Sequence, residues 1–183
     1  SSTVEGEFGL SSIEESASNF GAISGGRIAN ISNTFSLFYL ANVNPKIFRF
    51  DYNGQINAGR SDRITFDTTS KYIFTYDNSV FKTENITTGE FYQKDRTPPS
   101  SIETADIVLF AVNTNGTIGT YFKGRIYSYK YSDGVNSVDY IPAVDENGVG
   151  FMFDRVSHTI FDNAGTGAFV YPPVELEYIE STE

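Results

Sequence analysis

Carboxylates are the most numerous groups in this sequence that could do chemistry. Asp and Glu total 23 against 13 Lys and Arg, with one His and no Cys. Hydrolysis of a glycosidic bond needs two carboxyl groups flanking it. Glu5 and Glu7 share a strand face, but with Gly6 between them on an N-terminal edge they read as a solvated face. Glu175, Glu177 and Glu180 read as ordinary outward charges. His158 falls in a turn, Arg155–His158, and reads as a surface residue. No nucleophile elbow supports a Ser/His/Asp arrangement. No Walker-type or dinucleotide loop occurs, and Gly25-Gly26 and Gly165-x-Gly167 read as turns. Without cysteine there are no disulfides and no thiolate-bound metal. These residues point away from an enzyme.

Binding asks for other side chains. A carbohydrate site wants an aromatic platform with planar amides near a sheet face or loop rim. The candidate rings are Tyr76, Tyr92 and Tyr121, with Asn113 and Asn115 as polar partners. Trp, the commonest platform, is absent. Asp154 and Asp162 end short apolar runs, where a carboxylate can accept backbone N–H bonds and hold a turn. Asn30-Ile-Ser, Asn85-Ile-Thr and Asn115-Gly-Thr match the N-glycosylation pattern, as chance allows in an Asn/Thr-rich chain. A net charge of −10 argues against a nucleic-acid backbone or an anionic membrane as partner. No apolar run approaches the roughly 20 residues that span a bilayer, and SSTVEGEF has neither the basic nor the apolar region of a signal peptide.

The elements that must position these groups are strands. Val4, Gly6, Phe8 and Leu10 alternate with Glu5, Glu7 and Gly9, a period of two. Asn19–Ile23 predicts a short strand stopped by Ser24-Gly25-Gly26, and FSLFYL at Phe35–Leu40 a central one covered on both faces. Ile47–Tyr52 alternates and runs into Asn53-Gly54, a hairpin signal. Arg63–Phe66, Lys71–Asp77 and Val80–Lys82 follow as strands, then a polar surface loop over Asn85–Ser101 containing Pro98-Pro99. Ile107–Val112 reads as a strand and Asn113–Gly119 as a loop. In Phe122–Tyr131 the apolar phase slips, and a β-bulge near Tyr127-Ser128 would turn Phe122, Ile126, Tyr129 and Tyr131 all inward. Val138–Ala143, Phe151–Phe153, Thr159–Phe161 and Ala168–Tyr171 complete about a dozen strands. There is no convincing amphipathic helix. The expectation is an all-β sandwich or jelly roll.

GFMFDRVSHTIFDNAGTGAF (Gly150–Phe169) resembles the C-terminal signature of concanavalin A-like lectin/glucanase (laminin G-like) domains of phage structural and bacterial surface proteins. The resemblance extends to Tyr121–Tyr127 (YFKGRIY) and Val138–Ala143 (VDYIPA), and more loosely to Phe20-Gly21-Ala22 and Phe48–Tyr52. It implies a concanavalin A-like jelly-roll β-sandwich of two antiparallel sheets. Glucanases of that fold carry a Glu-x-Asp-x-x-Glu run, which this sequence lacks. Relatives often bind Ca²⁺ through loop oxygens. Asp77 with Asn78, and Asn113 with Asn115, are the candidates, though neither pair makes a dense oxygen cluster. No other cofactor is implied.

Residues 1–173 account for one such sandwich. In 174–183, Leu176-Glu177-Tyr178-Ile179-Glu180 is similar to the family's opening strand, which normally stands at the front. That segment could start a next repeat, return to its own domain as a permuted strand, or pair with a neighbouring copy through Leu176, Tyr178 and Ile179. The expectation from the sequence is a non-enzymatic recognition or adhesion domain, extracellular on a bacterial surface or in a virion. Its expected partner is a cell-surface glycan. The alternative is a structural repeat that assembles with other copies.

Overall fold

The structure, a computed structural model, describes residues 3–10, 20–28, 33–40, 46–52, 55–60, 64–77, 79–95, 106–122, 124–163, 168 and 169. Fifteen strands and no helix occupy them. They are β1 (Thr3–Leu10), β2 (Phe20–Ile28), β3 (Asn33–Leu40), β4 (Ile47–Tyr52), β5 (Gln55–Arg60), β6 (Lys71–Asp77), β7 (Val80–Asn85), β8 (Phe91–Asp95), β9 (Val108–Leu109), β10 (Val112–Thr114), β11 (Thr117–Gly119), β12 (Gly124–Ser132), β13 (Ser137–Val144), β14 (Gly150–Asp154) and β15 (Thr159–Phe161). They form two sheets. The larger runs β15-β14-β13-β12-β1-β6-β7-β8, and the smaller β11-β10-β2-β3-β4-β5 with β9 also on β2. Every pairing between named strands is antiparallel except β10 on β2.

The period-two pattern of β1 decides which face is buried. Val4, Gly6, Phe8 and Leu10 are buried, while Glu5 stays exposed. Phe8 meets β4 across the sandwich, its ring edge-on to Phe48 at 4.7 Å. Phe50, the next inward residue of β4, packs against Phe74 at 5.4 Å, Tyr76 at 5.1 Å and Phe81 at 6.3 Å. Each such ring pair adds about 0.5–1.5 kcal/mol beyond the burial of its area, so the sheets are joined mainly through aromatic contacts. The expected bulge lies in β12. Glu7 pairs with Ser128 and Phe8 with Ile126, which leaves Tyr127 as the extra residue. Ile126 and Tyr129 are thereby both buried, despite their odd spacing.

Several segments differ from the sequence pattern, each for a local reason. β2 does not stop at Gly25-Gly26 but runs on to Ile28. The glycine serves a close approach instead, since a Cβ on Gly25 would lie 2.7 Å from the Ser36 hydroxyl. Residues 64–66 are not a strand; Ile64 and Phe66 plug the core from a connection. There Glu90 supplies the bonds a ladder would, its carboxylate accepting the Thr65 amide at 3.0 Å. Gln55–Arg60, not itself marked out as a strand, is the partner that the Asn53-Gly54 hairpin signal calls for, with Tyr52 paired to Gln55. Phe91–Asp95 is a strand inside the expected polar loop. The chain reverses into it because buried Asn85 accepts the amides of Thr87 (3.0 Å) and Thr88 (3.1 Å) with its side-chain oxygen. The same burial removes Asn85 as a glycosylation site. Ala168 and Phe169, expected in a strand, are in none.

Candidate functional site

The expected strand at Ile107–Val112 breaks at Phe110, and the expected loop at Asn113–Gly119 is a hairpin. Phe110 has a φ of 63° and Thr120 one of 55°, both in the left-handed region. A ring-bearing and a β-branched side chain each cost about 1–2 kcal/mol there. Between them β10 and β11 pair across Asn115-Gly116, with Thr114 opposite Thr117. Both turn residues have positive φ, 48° and 90°, which is a type I′ turn, and Asn-Gly is its sequence signal.

The two strained residues persist because the segment is braced on β2. The Phe110 amide donates to the Ile23 carbonyl at 2.8 Å, and the Ala22 amide donates to the Thr120 carbonyl at 2.9 Å. The Phe122 amide closes the segment on the Phe110 carbonyl at 2.8 Å. Gly21 allows this seating, because a Cβ there would lie 2.7 Å from both the Tyr121 carbonyl oxygen and the Phe122 Cα. Phe110 in turn packs on Phe122 and Phe169. The outcome is a rim on which Tyr121 stands 65% exposed, with its hydroxyl donating to the Ile118 carbonyl at 3.4 Å. Ile118, 44% exposed, lies beside it.

The five candidate ligand residues divide. Asn113, Asn115 and Tyr121 share this hairpin segment. Asn113 is committed to the fold, however. Its amide nitrogen donates to the Asp106 carbonyl at 3.1 Å and its oxygen accepts the Gly116 amide at 2.8 Å. Asn115 is exposed at the turn. Tyr76 is a correction. At 2% exposure it belongs to the core and offers no face to a ligand, because the alternation of β6 turns it inward with Tyr72 and Phe74. Tyr92 sits apart on the edge strand β8, packed on Phe81 at 6.4 Å. Ile118, Phe110 and Thr120 were not singled out from the sequence. The Asn-Gly turn could have flagged the hairpin, but nothing in the residue types flags the strain.

The carboxylates are mostly structural. Asp154 is 2% exposed. It accepts the amides of Asp139 (2.9 Å), Val156 (3.1 Å) and Ser157 (3.3 Å), and the Ser157 hydroxyl at 2.7 Å. Burial works against its ionisation, but these bonds outweigh burial and hold its pKa below the usual value. Asp67 accepts the Ser70 hydroxyl and amide, both at 2.6 Å, and the Thr69 amide at 2.7 Å, and is pulled down to about 2. Asp133 and Asp145 are lowered in the same way by the amides of their turns. Glu5 and Glu7 form surface ion pairs with Lys130 (3.2 Å) and Lys71 (3.1 Å), as a solvated face does.

Asp77 is exposed at the end of β6, where its carbonyl accepts the Ser79 amide. Asn78, its expected partner for Ca²⁺, lies outside the described residues, as do Leu176, Tyr178 and Ile179. Among the described residues no three His, Cys, Asp or Glu side chains are grouped to hold a metal, and no helix is long and apolar enough to cross a membrane. His158 is exposed in the β14–β15 turn, with its ring stacked on Phe153 at 6.3 Å. No family model, no curated protein and no solved structure matches the chain.

Proposed function

We propose that the chain is a non-enzymatic recognition domain that binds cell-surface carbohydrate through the rim formed by β10, β11 and Tyr121. In this proposal it is a concanavalin A-like jelly roll displayed outside the cell, on a bacterial surface or in a virion. One observation carries it: a tyrosine ring 65% exposed on a segment whose strain is held by hydrogen bonds to the neighbouring strand. Strained, over-determined backbone concentrates where a protein meets a ligand. The C–H face of a pyranose packs on such a ring, while its hydroxyls take hydrogen bonds from polar groups around the rim. Asn115 and Thr117, both exposed on the same hairpin, supply those groups. Asn113 positions the turn and touches no ligand.

The test is a glycan array probed with the full chain, followed by titration of any ligand found. Tyr121→Ala should weaken binding at least tenfold and leave the melting temperature unchanged. Tyr92→Ala should leave binding unchanged. An array without a ligand for the full chain, or a ligand indifferent to Tyr121→Ala, overturns the proposal. The role of Ca²⁺ at Asp77 and Asn78 is decided in the same titration, because binding that survives EDTA does not use it.

A second role, as a structural subunit joined through its C-terminal segment, is favoured by the open edge of β15. Among the described residues nothing pairs with that strand on its outer side.

A further inference from the structure

We propose that Asn115-Gly116, at the tip of the β10–β11 hairpin, is a self-modification site: the Asn115 carboxamide is converted to a carboxylate through the Gly116 nitrogen, at a rate that the Asn113 side chain holds down. The conversion does not rest on the glycan reading; only its effect on binding does.

The chemistry is open to any Asn-Gly pair. The glycine backbone nitrogen attacks the asparagine Cγ, and a cyclic imide closes as that N–C bond forms. The Cγ–Nδ2 bond breaks, and ammonia leaves with the proton that the glycine amide gave up. Water then opens the ring. Cleavage at Cγ gives aspartate. Cleavage at the main-chain carbonyl carbon gives isoaspartate, whose backbone runs through the side chain. Glycine permits the closure because it has no side chain to crowd the ring. The folded chain must meet two requirements. The carboxamide must be free to swing onto the nitrogen, and the glycine N–H must be free to lose its proton.

The described residues hold two such pairs, and they differ. At Asn147-Gly148 both requirements fail. The Asp145 carboxylate accepts the Asn147 amide at 2.9 Å and the Val149 amide at 2.7 Å, and it also holds the Asn147 carboxamide. The Gly148 amide donates to the Asp145 carbonyl at 3.0 Å, and the neighbouring negative charge opposes loss of its proton. At Asn115-Gly116 only one requirement fails. Asn115 is exposed, and among the described residues its carboxamide has no hydrogen-bond partner. Among the described residues beyond its chain neighbours, nothing lies within 4 Å of a Cβ placed on Gly116, so water and base can reach the nitrogen. The restraint is the Asn113 oxygen, which accepts the Gly116 amide at 2.8 Å. Asn113 is itself held. It is 9% exposed, and its nitrogen donates to the Asp106 carbonyl at 3.1 Å, which fixes the oxygen toward Gly116. The bond keeps the proton on Gly116 and slows ring closure about three- to tenfold. Asn53-Gly54, a third pair, lies outside the described residues.

Either product alters the hairpin. Aspartate removes the amide donors and adds a negative charge to a chain already at −10. Isoaspartate puts an extra atom into the backbone of a tight turn, so the pairing of Thr114 with Thr117 slips.

The experiment is peptide mapping by mass spectrometry on the full chain aged in mildly alkaline buffer. The acid formed at Asn115 and at Asn147 is followed in the same molecule. In the unsubstituted chain both sites should convert more slowly than in the urea-unfolded chain, and Asn115 faster than Asn147. Asn113→Ala removes the acceptor and should speed Asn115 about three- to tenfold, while Asn147 keeps its rate. Asn113→Asp keeps an oxygen for the Gly116 amide, as Asp67, Asp133 and Asp154 do for the amides of Ser70, Asn136 and Ser157, and should leave Asn115 as slow as before. That variant decides where Asn113→Ala loosens the whole chain, which shows as a rise at Asn147 as well. The proposal is overturned if Asn115 converts no faster than Asn147, if Asn113→Ala leaves Asn115 at its original rate, or if Asn113→Asp speeds it. No glycan enters the mapping, so a failed glycan reading leaves its result untouched.

Discussion

Gly21→Ala tests the bracing of the Tyr121 rim, because the added methyl has nowhere to go. Its position is 2.7 Å from the Phe122 Cα and the Tyr121 carbonyl oxygen, and both neighbours are backbone. Restoring ordinary contact requires a shift of about 0.7–1 Å, which side-chain rotation cannot provide. The 110–122 segment must slide as a unit and stretch the Ala22–Thr120 bond, now 2.9 Å, and the Phe110–Ile23 bond, now 2.8 Å. Overpacking of this kind costs about 1–3 kcal/mol, and weakening two backbone bonds adds about 1 kcal/mol. The stiffer unfolded chain returns about 0.5 kcal/mol. The net loss is about 2.5 kcal/mol. With a urea slope of about 2 kcal/mol/M, the midpoint should fall by about 1.2 M. Gly119→Ala is the matched control, since among the described residues beyond its chain neighbours nothing lies within 4 Å of its Cβ position, and it should move the midpoint by less than about 0.3 M. Urea unfolding followed by tyrosine fluorescence reads both. Equal midpoints for Gly21→Ala and Gly119→Ala would refute the bracing.

Three further outcomes follow from particular residues. Thr120→Gly relieves a left-handed β-branched residue and should stabilise by about 1 kcal/mol, raising the melting temperature by about 2–4 °C; calorimetry decides, and an unchanged or lower temperature means the strain is not there. Asp67 has its pKa lowered from 3.8 to about 2, so its stabilisation is complete above pH 4 and is lost as pH falls through about 2. Asp67→Asn should cost about 1 kcal/mol at pH 7, allowing for solvent screening, and should flatten the stability slope between pH 4 and 2. A slope unchanged by the substitution counts against the hydrogen-bonded turn. In the core the Tyr129 hydroxyl is set against the Ser24 hydroxyl, among the described residues neither makes a hydrogen bond of ordinary geometry, and burial raises the Tyr129 pKa; Tyr129→Phe should therefore stabilise by less than about 1 kcal/mol in urea titration, and a loss of stability would mean that the two hydroxyls are bonded.

Alternation was the legible part of the fold. It placed Val4, Phe8 and Leu10 inward and located the bulge at Tyr127, because half-buried strands write their facing into a period of two. What it missed is held by side chains bonding to backbone. Phe91–Asp95 carries little apolar signal, and the strand exists because Asn85 folds the preceding turn. At 64–66 the residue types suit a strand, but Glu90 takes the Thr65 amide and no ladder forms. For the site, the sequence named Tyr121 and Asn115 by chemistry and Tyr76 by the same chemistry. The alternation of β6 sets Tyr76 on one face with Tyr72 and Phe74, and the structure shows that face to be the core, whereas Tyr121 stands exposed outside any such alternation. Gly21 is the least legible residue of all. It sits in an apolar strand like any short residue, and its need for no side chain comes from a segment about a hundred positions further on.

Tyr121 and Asn115 make separable contributions to the proposed rim. The ring is set by the hydrogen bonds that seat its segment on β2, and Tyr121→Ala removes it at once. The amide is lost slowly, at a rate set by the Gly116–Asn113 bond of 2.8 Å. A shallow rim makes that loss visible. Its exposed apolar area, essentially Tyr121 and Ile118, is too small for tight binding, so one polar contact is a large share of the total. In the proposed rim the Asn115 amide donates to a sugar hydroxyl. The aspartate product lacks that donor and should bind about tenfold more weakly. The isoaspartate product should lose binding altogether, because the slipped turn carries Thr117 and Ile118 with it. Asn115→Asp reproduces the first product without ageing and should match it. Chromatography separates the forms in an aged sample, and titration of each with the same glycan orders them. Equal affinities for the fresh chain, the aspartate form and the isoaspartate form would take Asn115 out of the contact and leave Tyr121 to carry it alone.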